Sequence, residues 1–224
     1  PEGCSAYNTA RADFYPTDTV DGQDLSREIG WRTLRAQYFG NVRIVDDAVG
    51  RLLRALDETG QWERTIFAFT SDHGEMAGDH RMWEKRVLYE ESARVPLLLS
   101  VPWLSSQAKR VGGVCDHVDM VPTLLDLAGV EVPEELPGTP LTGALTGARD
   151  LRANDAFIEW NGTGVAQPGG YVHDTPDGLV RDRNLGSPEI NAANATPWRS
   201  VVTGDRWKLN LSAHDRCELF DLSA

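Results

Sequence analysis

Thr65-Ile66-Phe67-Ala68-Phe69-Thr70 runs directly into Ser71-Asp72-His73-Gly74-Glu75. The first six residues form a short run rich in β-formers, with the composition of a buried strand. The next five are polar and bring together a carboxylate, an imidazole and a glycine. In open α/β sheets ligands bind beyond the carboxyl ends of the strands, so a polar cluster at this junction stands where chemistry is done. Asp72 offers a hard anionic oxygen and His73 a neutral imidazole nitrogen, a pair able to serve a divalent cation. Gly74 lets the backbone turn sharply after them. The same residues also suit a plain Asp-His hydrogen-bonded turn at a strand end, and on spacing alone both readings stand.

Upstream, Tyr38, Val42, Val45, Val49, Leu52 and Leu56 recur at steps of four and three. That period predicts an amphipathic helix over residues 31–60, closed by Thr59-Gly60. Downstream, Val95-Pro96-Leu97-Leu98-Leu99-Ser100-Val101 predicts a second strand, separated from the first by a polar loop from Ser71 to Glu91. A helix follows near Met120–Ala128, with Asp119 as N-cap and Gly129 as stop. Helix, strand, long loop, strand, helix is the order of an α/β layered domain with a largely parallel sheet. Beyond Val130 the texture changes. Residues 131–140 form a Pro- and acid-rich connection, and residues 161–197 are rich in Gly, Asn and Asp. Arg199–Thr203 and Arg206–Leu209, joined by a two-residue Gly204-Asp205 turn, predict an antiparallel hairpin. The expected organisation is a polar linker or loop at 1–30, the later part of an α/β domain at 31–130, and a smaller C-terminal region with antiparallel strands at 131–224.

The 224 residues carry a net charge of −12. Nucleic acid is excluded as a partner, because neutralising phosphates takes a surplus of Lys and Arg. An anionic substrate would need a local positive device such as a metal ion. No apolar run reaches the roughly 20 residues of a membrane span. The three cysteines, Cys4, Cys115 and Cys217, are widely spaced, without the CxxC of a zinc cluster, and read as plain thiols. Trp83, Trp103 and Trp160 fit pocket walls or core, with core the better fit; His173 and His214 lie in polar segments. The sequence starts Pro1-Glu2-Gly3-Cys4, with no initiating Met and no signal-peptide pattern. It therefore reads as a processed or truncated product, with no compartment signal.

Several separated stretches resemble the sulfatase family of the alkaline phosphatase superfamily. They are Tyr38-Phe39 and Val45 through Arg51, Thr70 through His80, Trp83-Glu84-Lys85, Tyr89 through Pro96, His117 through Gly129, Arg199 through Thr203, and Glu218 through Leu222. The resemblance runs in order over most of residues 35–140 and resumes at 199–222. It implies an alkaline-phosphatase-like layered sheet with helices on both faces, of which this chain holds the C-terminal part, followed by a small antiparallel β region. It implies that Asp72 and His73 are ligands of a divalent metal, Ca2+ first with Mn2+ or Mg2+ as alternatives. Lys85 matches the lysine that contacts the sulfuryl oxygens. His80, in the loop between them, is a candidate pocket residue; a backbone-bonded loop histidine fits as well. The implied activity is hydrolysis of small-molecule sulfate monoesters, with phosphonate monoesters or phosphodiesters as the alternative.

The chain departs from the family at the nucleophile. Sulfatases make formylglycine from the Cys, or in some relatives the Ser, of a Cys-x-Pro-x-Arg signature, and none of the three cysteines begins that pattern. Ser100-Val101-Pro102 lacks the Arg. The family's first Asp-Asp metal pair is also missing, since Asp46-Asp47 falls within the expected helix, where adjacent side chains point about 100° apart. The expectation is a fragment that lacks the formylglycine-bearing N-terminal half and is inactive alone. It would need that half, or self-association, to cover its exposed faces. A non-catalytic binding or assembly module is the other reading.

Overall fold

The computed structural model describes residue 12 and residues 19–104, 109–161, 172–175, 178–181, 197–212 and 215–223. Cys4, His214, most of residues 1–30 below Thr19 and most of 161–197 lie outside the described residues.

Within the segment read as linker, β1 (Thr19–Val20) and β2 (Gln23–Asp24) form a small antiparallel hairpin. It docks on the first turn of α1 (Glu28–Glu58), which therefore starts three residues before Trp31. The contact is backbone to backbone. A Cβ on Gly30 would lie 2.1 Å from the Asp24 carbonyl oxygen, so only glycine fits there. The indole of Trp31 donates to the Leu25 carbonyl at 2.8 Å, and Trp31 and Leu34 enter the core with Leu25. Past Leu34 the helix leaves that core. Its apolar stripe continues through Val42, Val45 and Leu52, but these are exposed, Leu52 to 52%. Asp46 and Asp47 sit on the exposed surface of the same helix, where Asp47 pairs with Arg43 at 3.1 Å.

The strand after α1 is β3 (Phe67–Thr70), and its partner is β4 (Leu97–Ser100). The expectation of a largely parallel sheet is corrected here. Phe67 faces Ser100 and Thr70 faces Leu97, so the pair is antiparallel, as is every strand pair among the described residues. Parallel neighbours need a crossover, usually a helix. The connection over 71–96 has only a single 3₁₀ turn at Asp79–Arg81 and the short α2 (Glu90–Ala93), and it folds back on itself.

A 3₁₀ turn at His117–Asp119 leads into α3 (Met120–Leu127). Asp119 stands at the N-cap position of α3, as expected, but its side chain makes no cap bond to that helix and serves the 3₁₀ turn before it. Asp116 accepts the Val118 amide, and Asp119 accepts the Asp116 amide in return, forming a capping box. The second Asp119 oxygen holds the Thr139 amide at 2.8 Å, tying the Pro-rich connection down ahead of α4 (Thr142–Thr146). The C-terminal region holds β5 (Asp155–Trp160), a β6–β7 hairpin (Val172–Thr175, Gly178–Arg181) that carries His173, and β8 (Trp198–Thr203), β9 (Trp207–Ser212) and β10 (Glu218–Asp221). One antiparallel sheet has the order β10-β9-β8-β5. The β8–β9 turn has three residues rather than two: Arg206 donates to the Thr203 carbonyl and adopts φ 73°. This is a turn followed by a left-handed residue, the next commonest hairpin solution after the two-residue loop.

The core of the described residues joins the start of α1 to Met76, Met82, Val87 and Tyr89 of the long loop and to Trp198 of the C-terminal sheet, with Trp83 and Trp160 packed against it. Trp103, expected in the core, is 51% exposed just past β4. No described helix is long and apolar enough to cross a membrane.

Truncation along α1 separates its two halves. Leu34→Ala should cost about 2–5 kcal/mol in urea unfolding, whereas Leu52→Ala should stay within about 0.5 kcal/mol. Equal losses would mean that the Leu52 stripe is covered.

Candidate metal and anion site

The site is built on the loop between β3 and β4, which is closed by backbone bonds from its two ends inward. Gly74 donates to the Ser92 carbonyl at 2.8 Å, Met76 to Glu84 at 2.9 Å, and Gly78 to Met82 at 2.8 Å. A Cβ on Gly74 would lie 2.0 Å from the Glu91 carbonyl oxygen, so the closure needs glycine there. Met76 and Met82 are completely buried and anchor the loop from below. Ala77, His80, Arg81, Glu84 and Arg86 all adopt positive φ, a conformation that costs a residue with a Cβ of order 1 kcal/mol or more. The rungs and the methionine anchors hold the loop in this shape.

Asp72 and His73 stand at the mouth. The His73 amide donates to Asp72 Oδ1 at 2.9 Å, and this bond is the main reason the Asp72 carboxyl titrates below the usual range. His73 Nδ1 lies 2.8 Å from the Gly74 carbonyl oxygen. A carbonyl only accepts, so Nδ1 carries a proton and Nε2 is the ring nitrogen turned away from that bond. That nitrogen faces Asp72 Oδ2 at 3.5 Å. Two cis ligands of an ion with bonds of about 2.4 Å lie about 3.4 Å apart, so the pair has the spacing of two ligands on one cation. Among the described residues no cluster of three or more His, Cys, Asp or Glu is placed to hold a metal. The donors present thus fit one side of a cation site.

Asp72, His73 and Lys85 line one open cleft of about 1240 Å³, together with Arg94, Arg110 and Arg206. The sequence reading missed Arg110 and Arg206, since nothing local marks a distant arginine as part of this wall. His80 is not among the lining residues. It stacks on Tyr89 with ring centres 4.1 Å apart and planes 6° apart, and its Nε2 lies 3.6 Å from Glu91. Cys115 is half-buried in the cleft wall, where burial and then the charges of Asp119 and Asp116 push its thiol pKa up. That leaves it a poor nucleophile.

A second group missed in the sequence lies behind the loop. Lys208 of β9 is buried and its Nζ is 2.8 Å from Glu90 Oε1. Removing one partner of a buried pair strands the other and costs about 3–5 kcal/mol. The low end applies here, because Glu90 keeps a third of its side chain in solvent.

A protein-family model, Sulfatase, matches residues 1–130, more than half of the chain. The chain belongs to the sulfatase family. It is 35% identical over 145 residues to Arylsulfatase K of Xenopus laevis, a match covering 65% of this chain and 27% of that protein. To the N-acetylglucosamine-6-O-sulfatase of Bacteroides thetaiotaomicron it is 36% identical over 143 residues, covering 63% of this chain and 25% of the relative. The chain thus spans about a quarter of the length of these curated relatives. Among solved structures, the phosphonate monoester hydrolase of Agrobacterium radiobacter matches with a TM-score of 0.69 at 26% identity, over 97% of this chain and 44% of that one. A protein solved with its substrate D-glucosamine-2-N,6-O-disulfate matches with a TM-score of 0.62 at 27% identity, over 81% of this sulfatase chain and 32% of the other. These neighbours give the alkaline-phosphatase-like fold, here with helices, sheets and a C-terminal antiparallel sheet.

Glu75 supplies a pH test of the loop. Burial raises its carboxyl pKa, against the pull of the Ala77 and Glu84 amides; the charge of Glu84 adds to the rise and that of Lys85 opposes it. A raised pKa means that the folded state favours the neutral acid. This contribution is present below the unfolded value and is lost as pH rises through the folded one. Glu75→Gln, which mimics the neutral acid, should raise Tm by about 1–3 °C at pH 7 and by less at pH 4. A lower Tm at pH 7 would show that ionised Glu75 stabilises the loop.

Proposed function

We propose that this chain is the C-terminal part of a sulfatase-family hydrolase that cleaves sulfate monoesters, with Asp72, His73 and Lys85 as one wall of its site. The observation that carries this reading is the shared cleft: two adjacent donors at cation-ligand spacing and a lysine on the same wall. Asp72 and the Nε2 of His73 would hold a divalent metal, Ca2+ by preference, with Mn2+ or Mg2+ as alternatives. When bound, the ion supplies a Lewis acid that polarises the transferred group. The residues of this chain do the rest. The Nδ1–H of His73, held by the Gly74 carbonyl, keeps Nε2 in the ligating tautomer. Lys85 donates to a sulfuryl oxygen and offsets charge that grows as the S–O bond breaks. His80 is a supporting residue beneath the pocket, packed on Tyr89.

The nucleophile is assigned to a formylglycine outside this chain, because no Cys-x-Pro-x-Arg occurs in it. Residues 31–130 then form the C-terminal part of a catalytic domain with a layered sheet, and residues 131–224 a smaller region beside it. The uncovered faces support a chain that needs more polypeptide, a preceding half or a second copy. The apolar stripe of α1 is exposed, and Phe157 and Leu219, on the outer face of the C-terminal sheet, are 69% and 64% exposed. The two-stranded β3–β4 sheet is also too small to be stable alone. The isolated chain is expected to lack activity.

A phosphonate monoester or phosphodiester hydrolase is the second reading, favoured by the likeness to the Agrobacterium enzyme. The test is hydrolysis of 4-nitrophenyl sulfate and 4-nitrophenyl phenylphosphonate by the natural polypeptide carrying this chain. The sulfate ester should be preferred, and Lys85→Ala should lower kcat by about 10²–10³. Preference for the phosphonate ester would assign the second reading. No turnover of either ester would leave the binding-module reading.

A further inference from the structure

The mechanism above does not use the ion pair behind the site. Lys208 is the most deeply buried charged side chain among the described residues, 1% exposed as the second residue of β9. Its Nζ meets Glu90 at 2.8 Å across 118 positions of sequence. Opposite Lys208 on the neighbouring strand is Phe220. The Phe220 ring meets Tyr89 edge-on, with centres 5.9 Å apart and planes at 76°. Two neighbouring side chains on one face of the C-terminal sheet therefore grip two consecutive residues of the loop, Tyr89 through its ring and Glu90 through its carboxylate.

Lys85 stands four residues before Tyr89 on the same segment. The segment is pinned at Glu84, whose carbonyl accepts the Met76 amide, and at the buried Val87 and Tyr89. Any shift of Tyr89-Glu90 is passed back to Lys85 along a short backbone segment. A buried lysine is a costly way to fill space, and packed apolar groups in place of an ion pair are often as stable or more so. What the pair adds over apolar packing is direction: a charge-assisted bond ties the Glu90 carboxylate to one point on β9.

We infer that Lys208, with Phe220, is a positioning residue for Lys85. The C-terminal sheet sets where Tyr89-Glu90 lies, and so where the Lys85 ammonium stands in the cleft. This rests on the reading of Lys85 as the lysine that holds the transferred group. The reading can fail while the coupling is untouched, so the test separates them.

The experiment is a double-mutant cycle in the natural polypeptide carrying this chain, with 4-nitrophenyl sulfate or 4-nitrophenyl phenylphosphonate as substrate, whichever the parent hydrolyses. Lys208→Met should lower kcat/KM by about 10–100-fold, and Lys208→Arg, which restores the charge-assisted bond, should recover it to within about threefold. In a Lys85→Ala background, Lys208→Met should cost less than about threefold, because the group it positions is gone. The Lys208→Met/Glu90→Gln variant strands no buried charge. It serves as the folded reference, checked by Tm, and should show the same dependence on Lys85. If Lys208→Met costs as much without Lys85 as with it, Lys208 acts through general stability and the inference is overturned. If the parent hydrolyses both esters but Lys85→Ala has no effect, the reading of Lys85 fails, and the inference with it. If the parent hydrolyses neither ester, the assignment of the site fails.

Discussion

Gly74 donates its amide to the Ser92 carbonyl, and the Glu91 backbone comes so near that a Cβ would lie 2.0 Å from its oxygen. This closure brings the two ends of a loop of more than twenty residues together beside β3 and β4. It places Asp72 and His73 just outside the first rung and Lys85 just past the second. The electrostatics of the site follow from it. In a chain of net charge −12, an anion can be held only where cations are gathered locally, and the loop gathers a lysine and a pair of metal-type donors on one wall. The left-handed residues between 77 and 86 are the cost of that gathering, offset by the burial of Met76 and Met82.

The local part of the candidate site was legible in the sequence. Asp72-His73-Gly74 follows an apolar strand, and Lys85 falls within a stretch whose spacing resembles a known family. Strand direction was not legible. Phe67–Thr70 and Leu97–Ser100 are apolar runs that look the same in parallel or antiparallel pairing, and the absence of a crossover helix between them decides the outcome. The turn at 204–206 was misread by one residue because its left-handed position is taken by Arg206 and not by the expected glycine. The start of α1 was placed late because the β1–β2 hairpin docked on its first turn, not a capping side chain, sets it.

The C-terminal sheet shows most clearly where pattern and packing part. Along β9 alternation assigns Trp207, Leu209 and Leu211 to the core and Lys208 and Asn210 to solvent. The structure has the opposite arrangement: Lys208 and Asn210 are buried, and Trp207 and Leu211 are exposed. Period-2 alternation gives two faces but not which one is covered, and here the covered face is the one that holds the loop between β3 and β4 through Lys208. The buried face mixes Lys208, Asn210 and Ser200 with the apolar Ala156 and Trp198, and the apolar outer face, like the α1 stripe, is exposed.

The central claim is that Asp72 and His73 are one side of a cation site whose other ligands lie outside this chain. Calcium titration of the isolated chain by calorimetry tests it most directly. Two ligands, where Ca2+ takes 6–8 oxygens, predict a Kd no tighter than about 10⁻³ M. Submicromolar binding that disappears in Asp72→Ala would contradict the account, showing a complete site within these 224 residues.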